Sequence, residues 1–162
     1  MIPYKHNLQP QMGRGAPQTM TPEKKKELIK TLCENYGIDI LYTFGSRSKE
    51  VADFLFGEGA NLISGPSDVD MGVKMVSGRK LDVKEKVFLS ISLEDLLGVG
   101  RVDLVVLSEA DPFLAAEIIR GERLFAMDDT GADEFELYIL RRAGDLIPLE
   151  RERESLIFKE ER

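Results

Sequence analysis

From Leu28 to Tyr36 the apolar residues recur at helical spacing, with Leu28, Ile29, Leu32, Cys33 and Tyr36 on one stripe. Thr21 as N-cap, Pro22 in the first turn and Glu23 at the positive end of the dipole open this helix, and Gly37 closes it. A run of β-branched and aromatic residues at 38–44 then predicts a buried strand that ends in Gly45-Ser46-Arg47. Residues 47–56 read as a short helix, and residues 57–67, with Gly57, Gly59, Gly65 and Pro66, as a loop. A second strand is expected over 68–75 and a third over 101–107. Apart from Asp103, the third is continuously apolar from Val102 on, the pattern of a strand covered on both faces. Between them a helix over 82–97 would turn Val83, Val87, Phe88, Ile91 and Leu96 inward. Pro112 begins a helix that ends at Gly121, and 123–127 suggests a short strand. The last helix is expected from about Asp133, with a break near Gly144 or Pro148 and a solvated tail of alternating charge. Short strands alternating with helices place the chain in the α/β (or α+β) class, with a small mixed sheet, flanking helices and a long C-terminal helix.

Residues 1–20 are rich in Pro, Gly, Gln and Met without any period, so they read as a flexible arm ahead of one domain at 21–162. The only histidine, His6, falls in that arm, which removes histidine chemistry from the core. The 162 residues suffice for one sizeable core, and 43% hydrophobic with 31% charged is an ordinary globular balance. No apolar run approaches membrane length, no signal-peptide pattern opens the chain, and one cysteine cannot form an internal disulfide; these features point to the cytoplasm. A net charge of −7 argues against a protein that grips a nucleic-acid duplex and suits a basic protein partner better.

The chemistry is carried by carboxylates and a glycine turn. On a strand, Asp68 and Asp70 project to the same face with Cα atoms about 6.5–7 Å apart. Two such groups repel each other unless a hard divalent cation, or a pair of cations, lies between them. Asp103 sits inside an apolar strand and needs a partner there, either a neighbour such as Arg101 or a cation shared with the other two aspartates. Gly45-Ser46 follows a strand and opens a helix. Glycine lets the backbone approach a phosphate, free N–H groups at a helix start attract anions, Ser46 adds a hydroxyl, and Arg47 offers a planar fork. A plain strand-to-helix turn would use the same residues.

Taken in order, Gly45-Ser46, then Ser67-Asp68-Val69-Asp70, then Val102-Asp103-Leu104-Val105-Val106-Leu107 resemble the polymerase-beta nucleotidyltransferase superfamily, and within it the minimal nucleotidyltransferase (MNT) branch. The Pro-started helix and Gly121-Glu122-Arg123-Leu124-Phe125 resemble the family's sequel to its third carboxylate, so the likeness spans about 22–127. It implies that Gly45 and Ser46, with Arg47, hold a nucleoside triphosphate. It also implies that Asp68, Asp70 and Asp103 bind two Mg²⁺ ions, with Asp103 accepting the proton of an attacking hydroxyl. For this branch the resemblance implies transfer of AMP from ATP to a tyrosine of a HEPN-type toxin, and thus an antitoxin. A non-catalytic antitoxin that neutralises its partner by contact, and a transferase acting on a small molecule such as an aminoglycoside, are the alternatives. The 21 residues from Arg47 to Ser67 make the gap before the first aspartate longer than the family's usual one, an insertion placed in a loop where extra length is tolerated.

Overall fold

The computed structural model describes residues 20–57 and 67–160. Residues 1–19 of the expected arm, His6 among them, and residues 58–66 of the loop before Asp68 lie outside the described residues. The element order is α1 (Pro22–Tyr36), β1 (Ile38–Phe44), α2 (Ser48–Phe56), β2 (Val69–Met75), α3 (Val83–Leu97), β3 (Val102–Val106), α4 (Pro112–Ile119), β4 (Glu122–Ala126) and α5 (Asp129–Glu160). A short 3-10 turn, Leu107–Glu109, joins β3 to α4.

Local chemistry starts and stops these helices. The Thr21 hydroxyl accepts from the Lys24 N–H, and Gly37 closes α1 at φ 70°. The Asp82 carboxylate accepts from the Glu85 N–H while the Glu85 carboxylate accepts from the Asp82 N–H, a reciprocal cap on α3. Asp111 takes the Phe113 and Leu114 N–H groups ahead of Pro112.

The four strands stand in the order β3-β2-β1-β4, with β1 antiparallel to both neighbours and β2 parallel to β3. Alternate side chains of the sheet feed two cores. Leu41, Val69, Met71 and Val73 meet α1, α2 and α3 on one face, and Ile40, Tyr42 and Phe44 meet α4 and α5 on the other. Helix α4 lies so close to the sheet that a Cβ at Gly72 would overlap the Ile118 methyl. On the first face, buried Lys25 donates to the Phe54 carbonyl at 2.9 Å and lies 3.8 Å from that ring's centre, fastening α1 to α2.

Three expectations are corrected. On α3 the buried positions are Leu89, Leu93, Leu96 and Leu97, whereas Val83, Val87, Phe88 and Ile91 are exposed. The helix carries two apolar stripes at the same period, and periodicity alone does not say which one meets the core. Strand β3 does send side chains into both cores, Leu104 to the first and Val105 to the second, but it is an edge strand paired with β2 alone among the described residues, so these two stay half-buried. Helix α5 starts at Asp129 and runs through Gly144 and Pro148 without a break. Both residues are exposed, so the Gly144 carbonyl left without the Pro148 N–H faces water.

Candidate active site

Sheet register brings the sequence-distant carboxylates together. Asp70 pairs with Phe44 on one side and Asp103 on the other, so the end of β1, the start of β2 and the start of β3 form one row. The Val69 N–H donates to the Arg101 carbonyl at 3.1 Å, locking the two parallel strands at this end. Asp70 and Asp103 share the face covered by α4, since their neighbours Val69, Met71 and Val102 point into the opposite core. Asp68, two residues before Asp70, stands just ahead of β2 and is partly exposed.

Negative charge accumulates here. Burial foremost, then the charges of Asp103, Asp68 and Glu117, push the Asp70 carboxyl above its ordinary pKa. Arg101 answers part of that charge: its Nε lies 3.1 Å from Asp103 Oδ1 and 3.6 Å from Asp68 Oδ2, with two-thirds of its side chain exposed. The salt bridge considered for Asp103 therefore exists, and it spans two of the three aspartates. Backbone geometry is fixed from the other side, where Thr43 Oγ1 donates to the Asp70 carbonyl at 3.2 Å.

The glycine turn packs directly on this group. Gly45 adopts φ 76°, a left-handed conformation, and a Cβ built there would overlap Asp70 Oδ2. Its carbonyl accepts from the Ser48 N–H at 3.3 Å as the chain turns into α2. Ser46 is exposed beside it, and no side chain caps the start of α2. Arg47, expected to fork onto phosphate, is turned the other way. It is buried, with Nε and Nη2 on the Glu50 carboxylate at 3.2 and 3.1 Å and Nη1 on the Ser67 carbonyl at 3.0 Å. Its guanidinium ties the residue before Asp68 to the start of α2, a positioning task.

Among the described residues, no three acidic, histidine or cysteine side chains stand close enough together to hold a metal ion as they are. The donor set nevertheless fits a hard divalent ion: only carboxylate oxygens, mutually repelling, with a guanidinium as a stand-in cation at their mouth. Asp68, Asp70 and Asp103 are the residues that would hold Mg²⁺. Glu117, which adds to the negative field from α4, was not picked out in the sequence; it falls mid-helix, and only the close seating of α4 brings it near.

Comparison with known proteins agrees with this geometry. The model of a family described as polymerase beta, nucleotidyltransferase, matches residues 26–130, a span that contains every aspartate of the site. No curated protein sequence matches the chain. Several solved structures share the fold. A toxin–antitoxin structure with AMP-PNP superposes with a TM-score of 0.59 at 21% identity, covering 85% of this chain and 98% of that one. A tri-AMPylated HEPN toxin in complex with an MNT antitoxin, from Shewanella oneidensis, gives 0.57 at 19% identity over 88% of this chain and 100% of that one. A MntA–HepT toxin–antitoxin gives 0.56 at 19% identity, covering 86% and 99%.

Proposed function

Because the chain belongs to the polymerase beta nucleotidyltransferase family, we propose that it transfers AMP from ATP to a hydroxyl of a partner protein, a tyrosine of a HEPN-type toxin, and so acts in the cytoplasm as that toxin's antitoxin. The observation that carries the reading is the register that sets Asp70 beside Asp103, with Gly45 packed on the Asp70 carboxylate. Magnesium, when bound, supplies charge neutralisation at the phosphates and favours in-line attack at the α-phosphorus. Gly45 and Ser46 place the triphosphate with backbone and hydroxyl donors. Asp103 takes the proton of the attacking hydroxyl as the new oxygen–phosphorus bond forms and pyrophosphate leaves. Arg101 would have to release Asp68 and Asp103 for these carboxylates to hold a cation. Proteins of this fold include toxin–antitoxin structures, one with AMP-PNP and one with an AMPylated toxin, which supports the choice of nucleotide and acceptor.

A second reading, a contact-only antitoxin, draws on the apolar side chains that α3 leaves in solvent: Val83, Val87, Phe88 and Ile91. Transfer of label from α-³²P-ATP separates the two. Wild type and Asp68→Ala/Asp70→Ala would be incubated with Mg²⁺ and a HEPN-type toxin. Label on the toxin with wild type alone is the expected result. Absence of label with all four nucleotides, together with neutralisation by both proteins, would overturn the enzyme in favour of contact.

A further inference from the structure

Strand β2 carries the aspartates at its start and Lys74 at its end, about 13 Å or more along the sheet. At that far end, the turn after β2, the turn after β3 and one side of α5 enclose a cavity of about 500 Å³, a volume suited to a small molecule. Its lining is uneven in charge. Lys74, Arg79, Lys80 and Arg142 contribute to it, and among the described residues no aspartate or glutamate does, although the chain as a whole is acidic at −7. Lys74 and Arg79 are ion-paired to Asp39 and Glu85, whose side chains do not line the cavity. Lys80 and Arg142 are exposed and have no ion-pair partner among the described residues. Beside them Met75, Leu107, Phe135, Tyr138 and Ile139 supply apolar and aromatic surface. The turn stays open at Gly78, which adopts φ 80° and has nothing within 4 Å of where a Cβ would stand.

Cations without partners beside an aromatic wall recognise a particular ligand class. The anion meets donors whose charge is not already answered, and a flat ring displaces water from Phe135 and Tyr138. We propose that this cavity is a second binding site, for a small organic phosphate that carries a flat ring, with Lys80 and Arg142 holding the phosphate. The proposal does not depend on the transfer reaction, because none of its residues belongs to the carboxylate site.

A nucleoside monophosphate and an aryl phosphate share this chemistry, so the test uses one of each. Backbone amide resonances of the full ¹⁵N-labelled chain would be followed during titration with AMP or with O-phosphotyrosine. Adenosine and inorganic phosphate serve as the ring alone and the anion alone. The expected result is saturable movement of the Gly78, Lys80, Tyr138 and Arg142 amides with at least one of the two phosphates, and the tighter of the pair identifies the source. Inorganic phosphate and adenosine should each bind more weakly. Arg142→Glu and Lys80→Glu, both at exposed positions, should weaken the binding about tenfold each, the scale of one charge-assisted hydrogen bond, with the rest of the spectrum unchanged. The proposal is overturned if these amides stay still with both compounds, if movement is confined to Gly45, Ser46 and Asp70, if inorganic phosphate binds as well as either, or if neither variant weakens binding.

Discussion

Gly45 and Gly78 share nearly the same backbone conformation, φ 76° and 80°, yet differ in what a side chain would meet. At Gly78 an alanine Cβ enters open space, so Gly78→Ala should cost only left-handed strain, about 1 kcal/mol. At Gly45 the same Cβ overlaps Asp70 Oδ2 and lies 3.3 Å from Asp70 Cγ. The carboxylate must rotate away, and an off-rotamer side chain adds about 0.5–1.5 kcal/mol to the strain. Gly45→Ala should therefore lose about 2 kcal/mol or more in all, which for a chain of this size is a gap of about 2–4 °C below Gly78→Ala. The decisive measurement is a double-mutant cycle by urea unfolding in the absence of metal. In an Asp70→Ala background both close contacts are gone and the Cβ at 3.6 Å is an ordinary one, so Gly45→Ala should then cost no more than Gly78→Ala. Nucleotide transfer should be lost in Gly45→Ala and kept in Gly78→Ala. Equal losses at the two glycines, or a gap that persists without the Asp70 carboxylate, would refute the close packing of the turn on Asp70.

Other outcomes follow from the same site and its support. Burial and three neighbouring negative charges raise the folded-state pKa of Asp70, so above that pKa its charge opposes folding. Asp70→Asn should raise the urea midpoint of the metal-free protein at neutral pH, with the gain shrinking as pH falls through the carboxylate range and gone where Asp70 is protonated in both states. Arg101→Ala removes a competing cation from Asp68 and Asp103 and should tighten Mn²⁺ binding about two- to threefold by calorimetry, the scale of an exposed ion pair; weaker binding would assign Arg101 a different role. Tyr42, fully buried, donates to Glu136 Oε1 at 2.9 Å, which also accepts from Arg123 at 3.2 Å. Tyr42→Phe should lower stability by about 1.5–3 kcal/mol, the range for a hydrogen bond to a charged group, in chemical denaturation.

Much of this site is legible in local pattern. The one-residue spacing of Asp68 and Asp70 fixes a shared face, and a glycine-serine pair after an apolar run marks a turn. Caps at Thr21 and Gly37 are equally local, and they appear where read. What the sequence withholds is tertiary. No local signal says that Asp103 lies beside Asp70, because that depends on β2 and β3 pairing in parallel across the whole of α3; the likeness to a family supplied it. Arg47 shows the limit from the other direction. An arginine after a glycine-serine turn looks suited to phosphate, but Glu50, one turn on, and the chain returning at Ser67 claim it first. On α3 two stripes compete, and the leucines at 89, 93, 96 and 97 win the core because they face α1 and β3.

The position of β3 at the margin of the sheet has a consequence for solubility. Among the described residues no strand pairs with its outer edge, where the Glu94 carboxylate takes the Val102 N–H at 3.0 Å, and Leu104, Val105 and Val106 continue an apolar run that a second chain could extend. Asp103 and Arg101 are the charges that interrupt that run, so they act as gatekeepers against edge-to-edge aggregation as well as parts of the carboxylate site. An apolar replacement of Asp103 would thus join Val102 to Leu104 in an unbroken sticky strand. Such a variant would precipitate besides lacking the carboxylate, whereas Asp103→Asn removes the charge but keeps the interruption polar and the protein in solution.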